Sequence, residues 1–115
     1  MPLCSVEEAL ADLKAGRFVI VVDDEQRENE GDLVMPAEMV TAEAVNFVVT
    51  HARGLLCMPI SGERLDKLEM PLMVVSNTEI KHHTAFTVSV DYNKHTTTGI
   101  SASDRAATIR AMIDP

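Results

Sequence analysis

An α/β fold, layered α-β-α around a mixed sheet in a single domain, is predicted by three features of this 115-residue sequence. Helix-spaced apolar stretches alternate with short β-branched runs along the chain. No repeat, low-complexity stretch or Gly/Ser/Pro-rich linker divides it. Apolar residues at 46% and charged residues at 24% have the balance of an ordinary globular domain. Aromatics at 3% leave Val, Ile, Leu, Ala and Met to build the core, a modest one at this length.

Each element has a local signal. Ser5-Val6-Glu7-Glu8 has the form of a capping box, in which serine and glutamate each satisfy a backbone donor at the helix start. Val6, Ala9, Leu10 and Leu13 follow at helical spacing, and Gly16 predicts the stop. Phe18-Val19-Ile20-Val21-Val22 is a continuous run of the kind found in strands buried on both faces. A polar segment, Asp23 to Asp32, leads into a short strand at Leu33-Val34-Met35 that Pro36 ends. Thr41 caps a second helix with Val45, Val48, Val49 and Ala52 on its apolar face. Leu55 to Ile60 reads as another buried strand. Ser61 starts a short helix carrying Leu65 and Leu68. Thr84 to Val90 alternates, with Phe86, Val88 and Val90 on one face. Ser101 or Ser103 caps a last helix through Ala106, Ile109, Met112 and Ile113, which Asp114-Pro115 ends.

Composition excludes several classes of function. A net charge of −8 repels nucleic acid and anionic membranes, and no basic stripe with interleaved aromatics is present. An anionic substrate would need a local basic group or a bridging cation. The longest apolar run, Phe18 to Val22, is far short of a membrane span. The N-terminus lacks the charged, apolar and cleavage regions of a secretion signal. Cys4 and Cys57 form no C-x-x-C pair, which disfavours structural zinc. A cytoplasmic protein is expected.

The informative stretch is Asp23-Asp24-Glu25-Gln26-Arg27-Glu28-Asn29-Glu30-Gly31-Asp32. Seven of its ten residues are ionisable, six of them carboxylates. In an extended conformation Glu28, Glu30 and Asp32 would project to one side. Converging carboxylates want a divalent cation, a shared proton or intervening solvent. Arg27 offers a planar fork for a phosphate or carboxylate. A calcium EF-hand is excluded by its own template: with Gly31 as the template glycine, Gln26 falls at the first ligand and Ala37 at the closing glutamate. A solvated loop accounts for the pattern about as well as a hard-cation site, and spacing alone does not name a reaction.

Other candidates carry weaker signals. His82, His83 and His95 read as surface or loop histidines, and His51 as a residue favoured by the C-terminal end of its helix dipole. Thr96-Thr97-Thr98-Gly99-Ile100-Ser101 precedes a helix start, where hydroxyls and free N–H groups hold anions, though simple capping explains it as well. Cys57, within an apolar run, is expected to be a buried, inert thiol.

The acidic decapeptide resembles the D-D-E-x-R-E-N-E-G-D signature of the 3,4-dihydroxy-2-butanone 4-phosphate synthase family. Three further blocks agree in order: Gly54-Leu55-Leu56-Cys57, Thr84-Ala85-Phe86-Thr87-Val88, and Thr97-Thr98-Gly99-Ile100-Ser101-Ala102-Ser103-Asp104-Arg105. Together they span nearly the whole chain. The resemblance implies a magnesium- or manganese-dependent lyase of riboflavin biosynthesis, a homodimer that converts ribulose 5-phosphate to 3,4-dihydroxy-2-butanone 4-phosphate and formate. By position it implies Glu28 as metal ligand and Arg27, Glu28, Asp32 and Thr98 as substrate contacts. Glu30, Asp32, Cys57 and Asp23 are implied as catalytic or pocket-lining groups.

His83 departs from the small residue usual at its position. The family continues past Pro115 into G-H-x-x-P-L and R-x-G-H-T-E blocks, which supply a histidine ligand and part of the phosphate site. The 115 residues are therefore expected to be the N-terminal part of a synthase domain, truncated and inactive alone. Fusion to a GTP cyclohydrolase, frequent in this family, is not legible here. The alternative from another class is a non-catalytic module binding a divalent cation or phosphosugar.

Overall fold

The computed structural model describes residues 3–74 and 85–115. They form two compact units, Met1–Leu56 with Asp91–Pro115, and Cys57–Val90. The expected α/β class is found.

In the larger unit, α1 covers Val6–Lys14 and begins with the expected reciprocal cap: Ser5 N donates to Glu8 Oε2 at 2.8 Å, and Glu8 N to Ser5 Oγ at 3.2 Å. The Ser5 amide, and then its hydroxyl, hold the Glu8 carboxyl below its usual range. Gly16, at φ 72°, ends the helix, and Arg17 N returns to Asp12 O at 2.9 Å. Strand β1, Val19–Val22, pairs antiparallel with β2, Gly31–Val34, in the register Val19 with Val34 and Val22 with Gly31. The second strand thus lies slightly earlier than Leu33-Val34-Met35.

Among the described residues this two-stranded antiparallel ribbon is the only sheet, in place of the larger mixed one expected. The expectation that β1 is buried on both faces is corrected with it. Ile20, Val21 and Val22 are exposed, because pairing with β2 alone covers neither face.

After Pro36 a single 3-10 turn, Ala37–Met39, leads into α2, Ala42–His51, whose cap is the Thr41 hydroxyl accepting from Ala44 N at 3.1 Å. The last helix of this unit, Ala102–Ile113, is capped by Ser101, whose Oγ accepts from Asp104 N at 3.0 Å. It packs against α2. Val40, Val45 and Ala106 are buried between them, with Met35, Ala102 and Ile109 against this cluster. Arg110 Nη1 donates to Val40 O at 3.0 Å and ties the last helix to the end of the 3-10 turn. Phe18 stacks on Phe47 with ring centroids 5.6 Å apart, and Phe47 meets His51 one helical turn on. His51 lies in the last turn, as the dipole argument expects.

The smaller unit contains α3, Gly62–Lys67, capped by Ser61 as expected. In chain order the last helix, Ala102–Ile113, is therefore α4. The strand expected over Thr84 to Val90 reduces to an isolated antiparallel bridge between Leu72 and Thr87, with Met73 N on Phe86 O at 2.9 Å and Val88 N on Pro71 O at 3.1 Å. Thr84, His82 and His83 lie outside the described residues. Leu55 to Ile60 forms no strand, since none of the described residues pairs with it. A β-branched or apolar run becomes a strand only when a neighbour accepts its backbone hydrogen bonds.

The core of the larger unit predicts a measurable weakness. Val45→Ala removes two methyl groups at a site 1% exposed, with an expected cost of about 1–3 kcal/mol in a urea titration. A change within about 0.5 kcal/mol would show that the contact between α2 and α4 is not the stabilising core.

Candidate active site

The acidic decapeptide folds around one carboxylate. Asp23, the first residue beyond β1, accepts from Glu28 N and Arg27 Nη1 on Oδ2 and from Glu30 N on Oδ1, each at 2.9 Å. Its own N–H donates to Glu30 O at 3.4 Å. Within this ring Asp24 makes a smaller one: its Oδ1 accepts from Gln26 N at 2.8 Å and its carbonyl from Arg27 N at 2.9 Å. Residues 25–28 form turns, and Asn29 takes the left-handed conformation at φ 53°, which asparagine tolerates better than most residues. The chain then enters β2 at Gly31.

The loop is not the extended segment in which Glu28, Glu30 and Asp32 would share one side. With Glu28 in a turn and Asn29 left-handed, Glu28, Glu30 and Asp32 do not follow a period-two row. Among the described residues no three His, Cys, Asp or Glu side chains come close enough together to hold an ion. Glu28 is clamped by Arg27, whose Nη2 lies 2.9 Å from Oε1, while the other guanidinium arm grips Asp23. Arg27 thus bridges two carboxylates and remains half exposed. Asp32 lies opposite Val21 in the ribbon. Asp23 and Arg27 are brought together with Glu28 and with the backbone of Glu30.

Asp23 is held ionised. The amides of Glu30 and Glu28, and then Arg27, pull its carboxyl below the usual carboxylate range against the opposing effect of desolvation. Such a group is a poor general acid near neutral pH, but it fixes the backbone on which Glu28 and Glu30 sit. Carboxylate oxygens are the donors a hard divalent cation takes, commonly one or two of them with water and substrate oxygens completing the shell, so the lack of a three-carboxylate cluster among the described residues does not conflict with such an ion.

Thr98 lies in a second wired loop. Asp104 Oδ2 accepts from Thr97 N at 3.0 Å, Thr97 Oγ1 at 2.8 Å and Gly99 N at 3.0 Å. The capping reading of this segment is therefore the one observed, because these amides already serve an internal anion. Thr108 Oγ1 accepts from Tyr92 N and donates to Asp104 O, both at 3.0 Å, and Thr96 Oγ1 donates to Tyr92 O. Gly99 takes the left-handed conformation at φ 86°, which favours glycine, and a Cβ there would make the Asp91 side chain move. Asp104 escaped the sequence reading. Its signal was the acidic residue at the third helical position after Ser101, where side chains reach back beyond the helix start.

Cys57 belongs to the smaller unit and is exposed, which corrects the buried thiol expected of a strand. The segment lacks a pairing partner among the described residues, so its side chains are not enclosed. Cys4 is likewise exposed and unpaired. No helix among the described residues is long and apolar enough to cross a membrane.

The α/β fold of this chain is shared with a set of solved structures. The family model described as 3,4-dihydroxy-2-butanone 4-phosphate synthase matches residues 7–115. The chain belongs to this family. A 3,4-dihydroxy-2-butanone 4-phosphate synthase from Agrobacterium fabrum is 53% identical over 113 residues, covering 98% of this chain and 53% of that protein. Riboflavin biosynthesis protein RibBA from Bacillus cereus strain AH187 is 56% identical over 110 residues, 96% of this chain and 27% of its own length. A crystal structure of a 3,4-dihydroxy-2-butanone 4-phosphate synthase in complex with two magnesium ions superposes with a TM-score of 0.92 at 45% identity, covering 98% of this chain and 52% of that one. The chain thus spans between about a quarter and about half of the relatives it matches.

The two ionised carboxylates set a pH dependence. Asp23 and Asp104 both have folded values below the unfolded one of about 4, so the stability they contribute is complete above that value. It is lost as pH falls through the depressed folded values. Asp23→Asn or Asp104→Asn is expected to flatten the acid limb of a stability–pH curve measured by urea titration. A limb unchanged in both variants would show that neither carboxylate is held this way.

Proposed function

We propose that the full-length protein converts ribulose 5-phosphate to 3,4-dihydroxy-2-butanone 4-phosphate and formate, the lyase step supplying the four-carbon unit of riboflavin. The observation that carries this reading is the closed acidic loop, in which Asp23 seats Glu28 and Glu30 by their backbone amides. Residues 1–115 are the N-terminal part of the synthase domain. The G-H-x-x-P-L and R-x-G-H-T-E blocks that complete the site in the family do not occur within them.

In this reading Glu28 holds the metal, magnesium or manganese, with its position set by Asp23 below and Arg27 beside it. The divalent cation supplies Lewis acidity for the ketone, lowering the cost of negative charge on its oxygen. Arg27 keeps N–H donors beyond the two that face Asp23 and Glu28, and these orient the anionic substrate. A carboxylate takes the proton from the carbon beside the ketone. Glu30 and Asp32 are the candidates, since Asp23 is occupied by three donors. Thr98 contacts the substrate. Formate carries away one carbon, and the two products together have the atoms of the substrate.

The protein works as a homodimer on a small phosphosugar, without nucleic acid or membrane. Its two unpaired cysteines suit the reducing cytoplasm.

Formate released from ribulose 5-phosphate is the test, with the full-length gene product and added magnesium. Turnover is expected to vanish with a chelator and to return with magnesium or manganese. Glu28→Gln should lower it by about a hundredfold or more, beyond the loss typical of a residue that only supports a ligand. Wild-type rates in that variant would remove Glu28 from the metal site. Magnesium binding with no formate from the wild type would favour a non-catalytic cation or phosphosugar module.

A further inference from the structure

We propose that Asp104 is the positioning residue for Thr98, presenting it to the substrate from a loop closed on a buried carboxylate. This deepens the proposed function and rests on the reading that Thr98 contacts substrate.

Asp104 is 5% exposed, on the first turn of a helix whose next-but-one residue, Ala106, is fully buried in the core. A group so placed does not reach a substrate itself. Its Oδ2 draws in three donors from the two residues that flank Thr98: the amide and hydroxyl of Thr97, and the amide of Gly99. Hydrogen bonds to an ionised acceptor are about twice as strong as neutral ones. The residue between those amides therefore has little conformational freedom. Thr98 itself is exposed and contributes no donor to this network. The Thr97 hydroxyl and amide, followed by the Gly99 amide, keep the carboxyl ionised despite its desolvation.

The far side of the loop is braced as well. Asp104 O accepts from Thr108 Oγ1, which accepts from Tyr92 N, so the entry to the loop is strapped to the same helix. Arg105 Nε donates to Ile100 O at 2.9 Å and holds the exit. Gly99 holds the left-handed conformation at φ 86°, which side-chain-bearing residues rarely adopt. Thr98 is exposed between two residues whose amides are bound to Asp104. An internal carboxylate already fills the amide cradle, so the loop offers a substrate the Thr98 side chain and amide and no empty anion hole.

The test is a double-mutant cycle in the full-length protein, read as KM for ribulose 5-phosphate and kcat separately. Asp104→Asn keeps the shape but loses the charge and half of the accepting capacity. It is expected to raise KM about tenfold, the scale of a charged hydrogen bond. Thr98→Val should do the same, and the double variant should match Thr98→Val alone. A role limited to stability would lower the amount of active protein and leave KM unchanged, and that result overturns the proposal. So do additive effects of the two substitutions.

Should Asp104→Asn fail to fold, Thr97→Val removes one donor from an exposed residue. A KM raised severalfold that disappears in the Thr98→Val background supports the proposal, and an unchanged KM overturns it. A wild type that releases no formate overturns the function and the positioning role together. An active wild type with additive variants overturns the positioning role only.

Discussion

The larger unit depends on how a run of like charges is made to turn back on itself. Six carboxylates within ten residues repel one another and favour an open chain. The Asp23 carboxylate reverses this locally by accepting from two backbone amides and one guanidinium of the residues that follow it. Arg27 then neutralises Glu28 as well. One acceptor at the end of β1 thereby converts a flexible acidic segment into a shaped connection to β2. Without it the ribbon register, which brings Gly31 opposite Val22, would have a long loop to close against electrostatic repulsion.

The same solution recurs at the start of α4, with the carboxylate on the helix side. Asp104 gathers the amides of an incoming loop, while Ser101 caps the amide of Asp104. Two turns of chain that would otherwise leave donors unpaired are closed by an acid whose ionised form is the better acceptor. Ala106, two residues further on, anchors that helix against Val45 and Val40, so the polar loop and the apolar core share one rigid element. Such coupling lets a small core hold a polar site in place.

Much of the architecture could be read residue by residue. Ser5, Thr41 and Ser61 cap the helices they were expected to cap, Ser101 and not Ser103 caps the last, and Gly16 ends the first in the left-handed conformation. These signals act within four residues, so the chain around them hardly matters. The acidic loop was legible as a site and not as a shape. An extended row of Glu28, Glu30 and Asp32 assumed no competing acceptor, and Asp23 is that acceptor. Asp104 had only its place three residues after Ser101 to mark it, and its partners lie before the helix in the loop, where no period points to them.

What the amino-acid order determined alone was local and chemical: where helices start and stop, which loop carries the carboxylates, and the family, whose blocks are contiguous motifs. Pairing and burial were decided only in three dimensions. Val19–Val22 and Leu55 to Ile60 carry similar apolar runs, yet the first is a strand and the second is not. A helix satisfies its backbone within itself, while a strand depends on a neighbour remote in sequence. The same dependence settled the exposure of Ile20 and Cys57, because enclosure is a property of what packs on a residue.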